Sequence, residues 1–292
     1  MPTKLIAYVN RNFVTRRSVR IPIDDAGFVW GATVTDRLRT FDGQLFHVAD
    51  HLARFRESCR RAKVDVIESD EQIIEISNRL VTANHHRGEL TLIWLATPGV
   101  SSGFAANSNG RIPTFIAYTQ KLVTLRAKAL ARNGACLRTC PINVVIDPLI
   151  KHRSRLAWWI AAQQVHEIDA DAEPLFVVGT SGHVLETSTA NIVAVIDGVV
   201  TSPPSGSILN GVSLGVVRNL CQNLGLPFAE RPLTKDDLHA ASEVILTNTS
   251  FCVAGVAKID DQSIPFPGAI LNQLLDAWSN LVGVNVRPGR GS

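Results

Sequence analysis

The stretch that decides the fold is Asp147-Pro148-Leu149-Ile150-Lys151-His152-Arg153-Ser154-Arg155-Leu156, near the middle of a chain of 292 residues. The apolar run Ile142–Ile146 before it predicts a strand, and the apolar pattern that begins at Leu156 predicts a helix. Lys151 is therefore predicted to lie between a strand and a helix. A lysine that the fold shields from water favours its neutral amine, which can form a Schiff base. The alternative is that Lys151 belongs to a solvated basic run that extends to Arg155.

Composition indicates a globular chain that is long enough for two domains, with 46% hydrophobic and 19% charged residues. The net charge of +3 and the absence of a long Lys/Arg block argue against a nucleic-acid partner. Five cysteines at scattered spacings predict no metal site and favour the reducing cytoplasm. No apolar run reaches the ~18–20 residues of a membrane span, and the first residues do not resemble a signal peptide. We therefore expect a cytoplasmic protein.

The first half of the chain predicts a sheet with helices. Thr33–Phe41 is typical of a strand, and Asp42-Gly43 predicts a hairpin turn after it. Alternation places Arg37 on one face of this strand and Asp36 on the other. A helix is predicted next, with Asp50 as its N-cap and Arg54 at helical spacing.

The second half is also rich in strands, and a charged segment with a weak apolar pattern precedes it. This segment, residues 121–131, is the predicted linker between an N-terminal domain of residues 1–120 and a C-terminal domain of residues 132–287. In the C-terminal domain, the small-residue turn before Val212 leads into a predicted helix. Unpaired N–H groups at such a helix start can bind an anion, although an ordinary helix cap explains the pattern as well.

Several motifs then follow one another in a recognisable order. They are Gly31…Asp36…Arg39…Asp42-Gly43…His51…Arg54, then Lys151-His152-Arg153-Ser154-Arg155-Leu156, Glu186-Thr187-Ser188-Thr189-Ala190-Asn191-Ile192, Leu209-Asn210-Gly211-Val212-Ser213 and Leu246-Thr247-Asn248-Thr249. In this order they resemble the fold-type IV, pyridoxal-phosphate-dependent enzymes, also called class IV aminotransferases. That family includes branched-chain and D-amino-acid aminotransferases and 4-amino-4-deoxychorismate lyase. The resemblance extends from about Ala7 to Ala254.

The resemblance implies an α/β (α+β) fold with two domains, a smaller N-terminal α/β domain and a larger, β-barrel-like C-terminal domain that binds pyridoxal phosphate (PLP). It implies that Lys151 forms the Schiff base and shuttles the Cα proton, and that Glu186 keeps the pyridine nitrogen protonated. Arg54 would bind the phosphate. The remaining predicted cofactor-binding residues are Gly211, Val212, Ser213, Asn248 and Thr249. A homodimer is also implied.

Departures from the family pattern leave the substrate open. Many members have Thr-Arg-Gly where this chain has Thr97-Pro98-Gly99, so an arginine that can bind a substrate carboxylate is absent. Arg37 and Arg155 are alternative carboxylate-binding candidates. The substrate candidates are Trp30, Arg37, Thr97, Arg155 and Asn248.

The resemblance implies transfer of an amino group between an amino acid or amine and a 2-oxo acid. Arg155-Leu156 occupies the place where several relatives have a tyrosine, and the lyase branch shares this feature. Elimination that releases pyruvate, as in 4-amino-4-deoxychorismate lyase, is therefore the first alternative. A PLP-binding relative without catalysis is the second. The choice between D- and L-substrates depends on how the substrate lies over the cofactor and is not set by residue types.

Overall fold

A computed structural model describes residues 5–85, 88–100, 112–143 and 145–287. Its strands are β1 (Ile6–Val9), β2 (Asn12–Thr15), β3 (Val34–Phe41), β4 (Gln44–Leu45), β5 (Leu90–Thr97), β6 (Thr114–Lys121), β7 (Ala135–Ile142), β8 (Ala172–Val178), β9 (Val184–Thr187), β10 (Asn191–Ile196), β11 (Val199–Ser202), β12 (Phe228–Glu230), β13 (Glu243–Asn248), β14 (Cys252–Ile259) and β15 (Gln262–Ser263). Its α-helices are α1 (Ala26–Val29), α2 (Val48–Ala62), α3 (Asp70–Asn84), α4 (Leu125–Asn133), α5 (Leu156–Ile168), α6 (Val212–Asn223), α7 (Lys235–Ala240) and α8 (Ala269–Val282).

Contacts between residues group the chain into two compact units. The N-terminal unit comprises Met1–Leu122 together with Ile150–Arg155, and the C-terminal unit comprises Val123–Leu149 and Leu156–Ser292. The segment that contains Lys151 therefore groups with the first half of the chain, and not with the second half as predicted. Most of the predicted linker lies in α4, because Leu130 of that helix packs into the core of the C-terminal unit.

The N-terminal unit is built on an antiparallel sheet of six strands in the order β2-β1-β6-β5-β3-β4. Helices α2 and α3 pack against one face of this sheet, where Leu38, Phe55, Leu80 and Trp94 form part of a single apolar core. Leu38 shares its face of β3 with Asp36, so the predicted alternation along this strand is confirmed.

The start of α2 differs from the prediction. The helix begins at Val48 after His47, which has a left-handed backbone with φ 51°, and Asp50 lies in the first turn instead of capping the helix. The Asp50 carboxylate contacts the His47 ring. An acidic side chain in the first turn stabilises the positive end of the helix dipole.

The C-terminal unit contains a mixed sheet of nine strands in the order β12-β11-β10-β13-β14-β7-β8-β9, with β15 paired to β14. The pairs β11–β12, β14–β7 and β7–β8 are parallel. The predicted mixed α/β fold is confirmed. No helix in the described ranges combines the length and apolar character that crossing a bilayer requires.

Two local predictions around Lys151 were wrong. The strand predicted at Ile142–Ile146 does not extend past its first residue among the described residues, since β7 ends at Ile142 and Val145 is 91% exposed. Val144 lies outside the described residues. Helix α5 was predicted to be buried, but Trp159 is exposed and its buried residues are Ala161 and Val165. Apolar side chains occur on all sides of this helix, and the rest of the chain buries only one side of it.

Candidate functional site

Lys151 is held through its backbone by two elements of the N-terminal unit. Its N–H donates to the Ser58 hydroxyl of α2 at 3.1 Å, and its carbonyl accepts from the Thr35 N–H of β3 at 2.9 Å. The Arg153 N–H donates to the Thr33 carbonyl at 2.8 Å. The segment therefore pairs with the start of β3 for a few residues, and these backbone bonds fix the position of the Lys151 backbone.

Arg54 lies in a buried network on the neighbouring helix. Its Nε and Nη2 donate to both oxygens of Asp36 at 2.9 and 2.8 Å, in the bidentate geometry that suits a guanidinium and a carboxylate. His51 Nδ1 lies 2.7 Å from Asp36 Oδ1. Asp36 is 0% exposed and Arg54 10%. Asp36 therefore orients the guanidinium that was predicted to bind a phosphate.

The charges in this network set its protonation. Burial alone would raise the pKa of Asp36, but the charges of Arg54 and His51 bring it below its ordinary value. Burial lowers the pKa of His51, against the attraction of Asp36, and the charges of Arg54 and Lys151 lower it further. Asp36 is therefore an anion, and since a carboxylate only accepts, His51 Nδ1 carries the proton between them.

The C-terminal unit brings a second group of predicted residues together. The Asn191 amide donates from Nδ2 to Glu186 Oε2 at 2.8 Å and to the Leu209 carbonyl at 3.0 Å. The Leu209 N–H lies 3.4 Å from Glu186 Oε1. The Glu186 carboxylate, at the end of β9, is thus connected to the loop that leads into α6.

Gly211 is the N-cap of α6, and no side chain caps this helix start. A Cβ added to Gly211 would lie 1.9 Å from Asn191 Oδ1, although the backbone φ of −67° is open to any residue. Glycine is required here because of close packing and not because of conformation. The first turn of the helix, with Val212 and Ser213, therefore approaches the Asn191 and Glu186 pair without an intervening side chain.

This packing makes Gly211→Ala a test of the site. The methyl group must displace the Asn191 amide and break its bond to Glu186, so we expect the free energy of unfolding to fall by about 1–3 kcal/mol. Gly215→Ala is the matched control, because nothing lies within 4 Å of its added Cβ. That variant should be neutral or stabilised by up to about 1 kcal/mol through helix propensity. Urea denaturation of both variants compares them; equal stabilities would contradict the close approach.

Asn248 and Thr249 lie at the turn between β13 and β14. Asn248 Oδ1 accepts from the N–H groups of Ser250 and Phe251 at 2.8 and 3.0 Å, and its Nδ2 donates to the Thr189 carbonyl at 3.3 Å. Asn248 therefore satisfies backbone groups of the turn. Its predicted contacts with cofactor and substrate, like those of Thr249, stay predictions.

The four other substrate candidates belong to the N-terminal unit. Arg37 and Thr97 line a cavity on the sheet face opposite α2 and α3. Trp30 is 43% exposed just after α1. Arg155 donates from Nε to the His152 carbonyl at 3.2 Å and is not among the residues that line the cavity.

Sequence reasoning missed three residues that hold these groups, namely Asp36, Ser58 and Asn191. Asp36 carried a usable signal, since an acid on the helix-facing side of β3 precedes a helix that carries His51 and Arg54 three residues apart. Ser58 carries no such pattern, because it bonds to a backbone atom far away in the chain. Asn191 belongs to the motif that begins at Glu186, but no role was predicted for it. Among the described residues, no group of three or more His, Cys, Asp and Glu side chains is placed to bind a metal ion.

Two aminotransferases are similar in sequence to most of this chain. A D-alanine aminotransferase of Staphylococcus aureus is 29% identical over 286 residues, which cover 94% of this chain and 97% of that protein. A putative branched-chain-amino-acid aminotransferase of Methanocaldococcus jannaschii is 27% identical over 259 residues, 88% of each chain.

Solved structures share the fold. The branched-chain aminotransferase of Thermoproteus uzoniensis, solved with norvaline, superposes with a TM-score of 0.86 at 19% identity and covers 96% of this chain and 95% of its own. The T.th. branched-chain amino acid aminotransferase with pyridoxamine 5'-phosphate superposes with a TM-score of 0.84 at 21% identity and covers 96% of this chain and 95% of its own. The 4-amino-4-deoxychorismate lyase of Pseudomonas aeruginosa superposes with a TM-score of 0.78 at 21% identity and covers 94% of this chain and 98% of its own.

The family assignment follows from the match between the chain and a family model. The model for amino-transferase class IV matches residues 33–259, well over half of the chain, and this range includes β3, the Lys151 segment, Glu186 and the start of α6. The sequence motifs and the fold agree with it. This chain belongs to the class IV aminotransferases.

Proposed function

We propose that this aminotransferase binds PLP and moves an amino group between an amino acid and a 2-oxo acid, with Lys151 and Glu186 as its catalytic residues. The observation that carries the proposal is the position of Lys151. Its backbone is bonded to β3 and α2, the two elements that carry the Asp36 and Arg54 pair. A lysine with a fixed backbone and an oriented guanidinium thus lie in one unit.

The residues present fit the chemical groups of PLP. An aldehyde needs an amine, a pyridine nitrogen needs a carboxylate and a phosphate needs an anion site, and Lys151, Glu186 and Arg54 supply these groups. The start of α6 is the second phosphate contact in this proposal, since no side chain caps this helix start. When bound, PLP supplies an electron-accepting ring. The fold-related T.th. aminotransferase was crystallised with pyridoxamine 5'-phosphate.

The residues of this chain then have separate roles. The Lys151 amine removes and returns the proton at the substrate Cα. The Glu186 carboxylate would favour a proton on the pyridine nitrogen, because an opposite charge raises the pKa of a base. Asp36 holds the Arg54 guanidinium, which would bind the phosphate, and the Asn191 amide holds Glu186.

The lyase reaction is the second candidate function. It is favoured by the absence of a tyrosine after Lys151, where Arg155 and Leu156 stand, and by the fold shared with the lyase of Pseudomonas aeruginosa. Both reactions begin with removal of the Cα proton and differ in the group that leaves. A relative that binds PLP without catalysis is the third candidate.

A substrate panel tests the three candidates. The purified protein would be incubated with D-alanine, with branched-chain L-amino acids and with simple amines, each with a 2-oxo acid, and separately with 4-amino-4-deoxychorismate. We expect amino-group transfer from at least one amino acid, measured as the new amino acid formed. Pyruvate release from 4-amino-4-deoxychorismate without any transfer would favour the lyase, and neither product would favour the binding protein.

We also propose a cytoplasmic homodimer. Each of the five cysteines is a free thiol, which suits a reducing compartment. Large apolar side chains are exposed between β2 and β3, including Ile23 (81%) and Phe28 (73%). Exposed apolar residues clustered in one segment suit a contact between protein chains.

A further inference from the structure

The N-terminal unit carries a cavity of about 740 Å³ on the sheet face opposite α2 and α3. Alternate residues of β5 and β6 line it, because side chains along a strand alternate between the two faces. Ile93, Leu95 and Ile116 make much of this wall apolar. Arg37, opposite Ile93 in the β3–β5 register, also lines the cavity, as does Arg153 from the segment that follows Lys151.

Arg37 has fewer partners than a half-buried guanidinium normally has. Its Nη2 lies 3.4 Å from the Thr91 hydroxyl, a long hydrogen bond, and its Nε is buried with no hydrogen-bond partner. Among the described residues, no carboxylate lies within ion-pair distance of Arg37 or of Arg153. A buried donor without a partner costs free energy, so the protein alone does not fully satisfy this guanidinium.

The guanidinium of Arg153 adds a second reason for an anion to bind beside Arg37. Burial lowers the pKa of Arg37, and the positive charge of Arg153 lowers it further, while Tyr118 acts in the opposite direction. Two like charges that face an apolar wall repel each other more than they would in water. An anion between them would offset this repulsion.

The acid that lines the cavity does not supply this anion. The Asp25 carboxylate accepts from the hydroxyls of Thr97 and Thr114, both at 3.0 Å, and from the Gly27 N–H at 2.7 Å. Thr97 lies four residues beyond Ile93 on β5, which corresponds to roughly 13 Å along a strand. Asp25 is therefore saturated by its own neighbours, at the other end of the wall from Arg37.

We propose that Arg37 and Arg153 bind the α-carboxylate of the substrate, so that this enzyme takes amino acids and 2-oxo acids in preference to simple amines. A carboxylate in the cavity can accept from the guanidinium groups of Arg37 and Arg153 together. The apolar wall beside them suits an apolar substrate side chain. The site rests on the proposed function, and it lies on the same backbone segment as Lys151, since Arg153 pairs with Thr33 and Lys151 pairs with Thr35.

The first test measures binding without turnover. Calorimetry on the PLP-loaded protein would compare 4-methylpentanoate, an unreactive carboxylate with an apolar tail, with its neutral amide. We expect the carboxylate to bind more tightly than the amide, and about 10- to 100-fold more weakly after Arg37→Gln or Arg153→Gln, as expected for a lost charged hydrogen bond. Arg60→Gln is the charge-matched control, since Arg60 is 67% exposed on α2 and pairs with Glu57.

The second test separates this site from the proposed function. Arg37→Gln should lower kcat/KM for pyruvate and for 2-oxoglutarate by the same factor, about 10- to 100-fold, and leave single-turnover reaction with 1-phenylethylamine unchanged. A loss for 2-oxoglutarate alone, an equal loss for the amine, or unchanged carboxylate binding would each overturn the proposal. If Arg37→Gln transferred amino groups as fast as the wild type, the carboxylate site would be wrong and the proposed function would stand. If carboxylate binding depended on Arg37 but the protein transferred no amino group, the site would stand and the proposed function would be wrong.

Discussion

Lys151→Ala should abolish amino-group transfer while the protein remains folded. We expect kcat/KM to fall by about 10³- to 10⁴-fold or more, since the variant loses the group that transfers the Cα proton. Each factor of ten corresponds to about 1.4 kcal/mol of transition-state stabilisation. The fold should survive because backbone atoms of Lys151 make the bonds to Ser58 and Thr35, and alanine keeps them.

Two measurements that do not depend on activity check the assignment. Borohydride treatment of the PLP-loaded wild-type protein should fix the cofactor to the peptide that contains Lys151, and the Lys151→Ala variant should give no labelled peptide. Lys128→Ala, on α4, is the control and should be labelled at Lys151 like the wild type. A label on another lysine, or near wild-type transfer by Lys151→Ala, would show that the assignment is wrong.

Local patterns predicted much of the fold because several turns have strict chemical requirements. Asp42 and Gly43 have φ of 47° and 72°, and Asp197 and Gly198 have φ of 50° and 78°. Two successive residues with positive φ form the hairpin turn that strongly prefers Asp-Gly, so both hairpins could be predicted from the dipeptide alone. The alternation along β3, which assigned Asp36 and Arg37 to opposite faces, is of the same local kind.

The arrangement around Lys151 could not be predicted in the same way, because it depends on contacts between distant parts of the chain. The apolar residues before Lys151 suggested a strand, yet the segment is held by pairing with β3, more than a hundred residues earlier. Arg153 was part of a basic run in the sequence, and its effect on Arg37 appears only once that pairing is known. A motif can therefore identify the reactive lysine, while the groups that select its substrate depend on the tertiary structure.

Glu186→Gln should slow transfer by at least about 100-fold with little effect on PLP binding. The carboxylate accepts from Asn191 Nδ2 at 2.8 Å, and a glutamine oxygen can keep this bond, so the shape of the site is retained. The amide has no negative charge, and it suits an unprotonated pyridine nitrogen because it can donate an N–H to it. A loss of about 100-fold corresponds to about 2.7 kcal/mol, within the range measured when one electrostatic contact to a developing charge is removed.

Deuterium at the substrate Cα identifies the step that Glu186 affects. If the charge of Glu186 assists removal of this proton by Lys151, the variant should show a larger isotope effect in single-turnover absorbance measurements, because that step becomes slower than all others. Glu173→Gln is the matched control, because it removes a carboxylate from β8, the strand paired with β9. Glu173 pairs with Arg126 and has no role in the proposed reaction. Its rate and isotope effect should equal those of the wild type. A Glu186→Gln enzyme that matched this control in both measurements would assign Glu186 to the structure of the loop before α6 and not to catalysis.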